Sequence, residues 1–184
     1  MIPVGVIMGS DSDYPVIKEA LDILDYFQIN YEVKVSSAHR TLERTINWVR
    51  DFEDQKGSLI IAAAGLSAHL PGVIAGATVL PVIGVPIRSG ALEGVDALYS
   101  IVQMPPGIPV ATVGIGAARN AGILAVQILA QGEQNLRQRL KDYRIEMAAE
   151  IEAKDLVIQD KVKKKSRAEL TNRSELKTGE PGER

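Results

Sequence analysis

Short apolar runs alternate with amphipathic stretches along most of the chain. Val4 to Met8, Tyr31 to Val35, Ser58 to Ala64, Val82 to Val85 and Val110 to Ile115 read as strands, and the third is apolar on both faces. Between the first two, Ile17, Ala20, Leu21, Leu24 and Phe27 recur at helical spacing. Ser12 or Asp13 can cap that helix, and Pro15 suits its first turn. Leu42, Thr45, Ile46, Val49 and Phe52 form the buried face of a second helix, with Thr41 as its cap. Arg44 stands three residues beyond Thr41, so the capping box is incomplete. Val73 to Val79 predicts a short helix of small residues, Val95 to Val102 another, and a fifth starts at Ala117 or Asn120 and ends near Ala130. Gln103 to Pro109 is too rich in proline for regular structure. Regular alternation of strand and helix implies a three-layer α/β fold, a doubly wound parallel sheet with right-handed crossovers. Five strands fit the flavodoxin-like order better than the six-stranded dinucleotide fold.

Beyond Gly132 the pattern changes. Leu136, Leu140, Tyr143 and Met147 mark one narrow face of a charged helix predicted to reach about Ile158. A stripe that narrow is expected to pack on the domain or on a neighbouring subunit. From Gln159 to Arg184 there are 8 basic and 5 acidic residues, and the segment ends in Gly179-Glu180-Pro181-Gly182. It reads as a charged, flexible tail, and a nucleic-acid contact by its basic run is the weaker reading. The expected division is therefore a catalytic domain over 1–132, a C-terminal helix over 133–158 and a tail over 159–184.

Composition narrows the chemistry. Net charge is −2, so the chain as a whole is no evident nucleic-acid binder. With no cysteine and two histidines, disulfides, thiolate metal sites and histidine-rich metal centres drop out. The start, Met1-Ile2-Pro3-Val4, lacks a basic region and cleavage site, and no apolar run could span a bilayer. The expected compartment is the cytoplasm, with neither membrane nor nucleic acid as partner.

Three turns carry candidate chemistry, each where a strand gives way to a helix. In open α/β sheets that edge binds ligands. Gly9-Ser10-Asp11-Ser12-Asp13 offers hydroxyls and backbone N–H groups to a phosphate, and Asp13 an acceptor for sugar hydroxyls; a plain helix cap explains it equally well. Ser36-Ser37-Ala38-His39-Arg40-Thr41 sets a proton-exchanging imidazole beside a guanidinium fork suited to phosphate or carboxylate. Ser67-Ala68-His69-Leu70-Pro71-Gly72 repeats Ser-Ala-His one strand over, so both turns face one crevice; a tight helix start is its bland alternative. There is no Walker lysine motif, no G-x-G-x-x-G after the first strand and no G-x-S-x-G nucleophile elbow. Gly114-Ile115-Gly116 is read as backbone packing.

Read together, Met8-Gly9-Ser10, Ser12-Asp13, Ser37 to Thr41, Ala68 to Gly72, Gly84-Val85-Pro86 and Ser100 to Pro105 resemble the class I N5-carboxyaminoimidazole ribonucleotide mutase family, the PurE family. The likeness runs from about Val4 to about Leu129. It implies movement of a carboxylate from the exocyclic nitrogen of an aminoimidazole ribonucleotide to ring carbon C4, a step of de novo purine (IMP) synthesis, without metal or organic cofactor. It implies His39 as general acid and base, and a homo-octamer with sites at subunit junctions. By similarity, Ser10 and Arg40 meet the phosphate, Asp13 the ribose, and His69 with nearby backbone the base and carboxylate. Asp11, Ser12, Ser37, Ala64, Gly65, Ser67 and Leu70 complete the implied substrate-binding set.

Some positions depart from the family pattern. Leu66 replaces a glycine, so a positive φ there would be strained. Leu42 stands for a proline, Arg88 adds a cation where glutamine is common, and Gly114 to Asn120 is short. Two rivals remain. One is the class II relative, which carboxylates aminoimidazole ribonucleotide directly; Arg40 and the Ala68–Gly72 motif argue against it. The other is a non-catalytic ribonucleotide-binding module.

Overall fold

The computed structural model describes residues 3–67 and 69–177, with side chains through 165. The start at Met1-Ile2, Ala68 and the Gly-Glu-Pro-Gly end lie outside the described residues. Two compact units divide the chain, 1–137 and the part from 138 onward.

The first unit holds strands β1 (Val4–Met8), β2 (Tyr31–Val35), β3 (Leu59–Ala64), β4 (Val82–Pro86) and β5 (Ala111–Thr112). They form one sheet in the order β2-β1-β3-β4-β5, with every pairing parallel. This is the expected flavodoxin-like order. Helices α1 (Tyr14–Tyr26), α2 (Leu42–Asp54), α3 (Leu70–Ala75) and α4 (Val95–Val102) make the four crossovers, and α5 (Ala118–Leu129) follows the last strand. Every residue of β1, β3 and β4 is buried, whereas the edge strand β2 is half open to solvent. Continuous apolar runs therefore mark the central strands.

On one face α1 packs on α5. A Cβ at Gly122 would approach the Ala20 carbonyl oxygen to 2.9 Å, so the two backbones meet where only glycine fits. On the other face Ile7, Ile60 and Ala62 pack with Trp48, Val49 and Phe52 of α2, Leu70 and Ile74 of α3, and Ala97 and Ile101 of α4. Trp48 and Phe52 stack at 5.4 Å, and the Trp48 indole N–H reaches Glu32 on β2. Their burial locks α2 to the edge of the sheet.

Boundaries differ from the expected ones in three places. The last strand is two residues long, because Val113 donates to Gly84 and the chain then turns through Gly114 and Gly116. Helix α3 covers Leu70–Ala75 rather than 73–79; Pro71 sits in its first turn, where a missing N–H costs nothing. The last helix, α6, runs from Gln134 to Lys177 and so passes the predicted end at Ile158. A helical sequence without Gly or Pro between Gln134 and Lys177 gives no local stop.

Candidate active site

Ladder bonds continue one residue past the strand ends: Gly9 donates to Ala63, Ser36 to Met8 and Ile87 to Ala64. The turns after β1, β2, β3 and β4 consequently leave the sheet in register. With this strand order, the crevice lies at the ends of β1 and β3, where the winding reverses. A cavity of about 330 Å³ sits there. Ser10, Ser12 and Asp13 line it from the first turn, Ser37, His39 and Arg40 from the second, and Ala64, Gly65, His69 and Leu70 from the third. Asp11 and Ser67 do not line it; both are exposed.

The first turn is a short 3-10 segment, Asp11–Asp13, ahead of α1. Ser10 accepts from the Ser12 N–H, and Asp13 accepts from the Ser10 N–H at 3.2 Å, a reciprocal capping box. Ser10 thus caps the 3-10 segment, while Asp13 holds the expected N-cap position of α1 but makes no side-chain bond to that helix. Asp11 accepts from Ser12 N–H and from the Ser10 hydroxyl, which spends it on the turn itself. Burial pushes the Asp13 carboxyl above its ordinary value of 3.8, against the pull of the Ser10 N–H. Its stabilising contribution is therefore lost as pH rises through that raised value.

The second turn hangs on three hydroxyls. The Thr41 hydroxyl donates to the Ser37 carbonyl and that of Thr45 to the Thr41 carbonyl. The Ser36 hydroxyl lies within hydrogen-bond distance of the hydroxyls of Thr41, at 3.0 Å, and Thr45, at 2.8 Å. Ser36 and Thr45 are buried, so the inner bond of this net is shielded from water, while Thr41 and Ser37 are half-buried. It leaves His39 and Arg40 projecting from a tied loop.

The third turn is held differently. Leu66 has φ 53°, in the left-handed region that a γ-branched side chain rarely adopts, and its side chain is exposed. Its N–H donates to the Ser89 hydroxyl at 2.9 Å. His69 then comes to His39: Nδ1 of His69 lies 2.8 Å from Nε2 of His39, and the rings meet edge to face at 4.9 Å. One nitrogen of this contact donates and the other accepts, so the pair shares a single proton across the crevice. Among the described residues no group of three or more His, Asp or Glu is placed to hold a metal.

Gly9, Ala38 and Leu66 line the cavity as members of the turns read from the sequence, though outside the predicted binding set, and Ser89 is the lining residue that sequence reasoning missed. Ser89 follows β4 without any motif around it, and only the pairing of β3 with β4 brings it in. Arg88 is not at the cavity; it is exposed and pairs with Glu93 at 3.2 Å.

The AIR carboxylase family model matches residues 3–150. The chain belongs to that family. Its curated relatives include the N5-carboxyaminoimidazole ribonucleotide mutases of Pyrococcus abyssi, 57% identical with 80% of this chain and 84% of the relative covered, and of Mycobacterium leprae, 52% identical over 85% and 91%. The crystal structure of Treponema denticola PurE superposes with a TM-score of 0.74 at 31% identity, covering 80% of this chain and 92% of that one. The chain is thus an AIR carboxylase family enzyme of the mutase kind, on the PurE fold. The family match ends at residue 150, inside α6, whose last turns extend beyond it. Among the described residues no helix is long and apolar enough to cross a membrane.

Proposed function

We propose that this enzyme converts N5-carboxyaminoimidazole ribonucleotide to 4-carboxy-5-aminoimidazole ribonucleotide by releasing and recapturing CO2. The mutase role in purine (IMP) biosynthesis follows from the family. The observation that carries the chemical route is the His39–His69 contact of 2.8 Å inside a crevice that also holds Arg40, Ser10 and Asp13. Protonated His39 gives its proton to the exocyclic nitrogen as the C–N bond to the carboxylate breaks, leaving CO2 and the neutral amine. The electron-rich C4 then attacks CO2, forming the C–C bond. Neutral His39 removes the C4 proton and is restored to its starting state, so one group serves both ends of the reaction. In this reading Arg40, Ser10 and Ser12 hold the phosphate and Asp13 the ribose, while Ala64, Gly65, His69 and Leu70 wall the base and the CO2. No cofactor is required, and neither nucleic acid nor membrane takes part. The cytoplasm is the fitting compartment.

Free CO2 must not escape between the two steps, which calls for a closed site. Within one chain His39, Arg40 and His69 are exposed. This supports a homo-octamer with sites at subunit junctions. Leu92, Val95, Tyr99 and Val102, exposed at helical spacing along α4 and the turn before it, support an apolar subunit contact. Sedimentation should find the octamer.

The deciding assay supplies purified protein with N5-carboxyaminoimidazole ribonucleotide, without ATP or added bicarbonate, and follows the C4-carboxylated product by absorbance. Conversion is the expected result. Product from aminoimidazole ribonucleotide and CO2 alone would make the enzyme a direct carboxylase. Binding without turnover in either arm would leave a ribonucleotide-binding module.

A further inference from the structure

We propose that Ser89 is a positioning residue for this reaction: its hydroxyl holds Leu66 in a left-handed conformation and so sets the backbone from Ala64 to Leu66 that lines the cavity. The inference rests on the function proposed above, but the latch itself can be judged without it.

Three observations converge on Ser89. Its hydroxyl oxygen accepts the Leu66 N–H at 2.9 Å, and Leu66 is held at φ 53°. A Cβ at Gly65 would collide with that same hydroxyl, so the bare glycine backbone lies flat against Ser89. A Cβ at Gly90 would come within 3.0 Å of Leu66 Cδ2, so the Leu66 side chain rests over the glycine that follows Ser89. The turns after β3 and β4 thus interlock at one hydrogen bond and one apolar contact. Ser89, Leu66 and Gly65 all line the cavity that holds His39 and His69.

The physical logic is a balance at one residue. Left-handed backbone is unfavourable for a residue with a Cβ. A hydrogen bond to its N–H can outweigh that cost only where the acceptor is fixed. Ile87, two residues before Ser89, donates to the Ala64 carbonyl at 2.9 Å, which fixes the acceptor against the loop it serves. Without the hydroxyl, Leu66 has reason to relax toward negative φ. The amide plane between Gly65 and Leu66 would then rotate, and the wall of the site with it. A displacement of this kind costs turnover more than ground-state binding, because the reacting atoms are misaligned rather than released.

The test is a double-mutant cycle of Ser89→Ala and Leu66→Gly in the full-length enzyme. Ser89→Ala should lower kcat about tenfold with KM nearly unchanged. In the Leu66→Gly background the same substitution should cost less than about threefold, because glycine adopts the left-handed conformation unaided. Exchange of the Leu66 amide with deuterium reads the latch without substrate and should accelerate about tenfold in Ser89→Ala. An equal Ser89→Ala loss in both backgrounds would overturn the proposal. So would a raised KM at constant kcat, which would make Ser89 a direct substrate contact, or an unchanged Leu66 exchange rate. If exchange responds but the parent enzyme turns over no substrate, the functional reading fails while the latch stands.

Discussion

The two histidine turns share the sequence Ser-Ala-His and face one crevice, yet they are held in place by opposite means. The turn after β2 is braced from below by Ser36, Thr41 and Thr45, hydroxyls that bond one another and two carbonyls in a largely buried region. Among the described residues the turn after β3 shows no such net. It depends on a leucine in a left-handed conformation and on one serine from the neighbouring strand end. Identical short motifs can thus differ in stiffness, because the support lies in residues outside the motif. The group proposed to move the proton sits on the braced turn, and its partner on the turn that can yield.

The largest expected effect tests whether this asymmetry is functional. His39→Asn should lower kcat about 10³-fold while nucleotide affinity stays within about threefold, in the range lost with a general acid–base. His69→Asn should cost roughly tenfold, since it orients the pair and leaves the proton carrier in place. Single-turnover rates with calorimetric binding of the product separate the two. Equal losses would mean that the imidazoles act as one inseparable unit, and the contrast between the turns would lose its functional meaning.

The next effect concerns charge. The β2 turn carries Arg40, whereas residues 65–70 after β3 hold no arginine or lysine. Arg40→Ala should weaken product binding by about 10- to 100-fold, the worth of a charge-assisted contact to phosphate, and should flatten the salt dependence of affinity. Binding that survives this change would move the phosphate elsewhere in the crevice.

Much of this contrast was legible in the chain, and the unread part has a physical reason. Apolar runs fixed the central strands because a parallel strand buried on both faces needs them, and the three polar turns were found because their residue types are the chemistry. Leu66 stood out as a position where glycine would be expected, and its positive φ agrees. Ser89 was invisible, because its role comes from the adjacency of β3 and β4 and from no local pattern. Arg88 misled in the other direction: a cation next to a site residue in sequence points away from the site and meets Glu93. The early start of α3 was hidden by Pro71, which marks a boundary in most contexts but is welcome in a first turn.

A third effect is structural and belongs to the braced turn alone. Thr45→Val keeps shape and volume while deleting the hydroxyl that donates to Thr41 and meets Ser36. The Thr41 carbonyl loses a donor and Ser36 a partner in a buried site. Urea unfolding should show a loss of about 1–2 kcal/mol, with the midpoint shifted at constant m-value. A neutral result would mean that Thr41 alone suffices to hold the turn.

The smallest effect has the opposite sign and belongs to the yielding turn. Leu66→Gly removes a Cβ from a left-handed residue, relieving about 1–2 kcal/mol. The greater freedom of glycine in the unfolded chain takes back about 0.5–1 kcal/mol. The leucine is 60% exposed, so little apolar burial is lost with it. A net gain of about 0.5–1 kcal/mol in the same urea experiment is expected. Stabilisation here beside destabilisation at Thr45 would show that the two turns store free energy with opposite signs: one is held by satisfied bonds, the other is held against its own backbone preference. Destabilisation by Leu66→Gly would instead assign the turn's support to the leucine side chain resting over Gly90, and the backbone would carry no strain worth relieving.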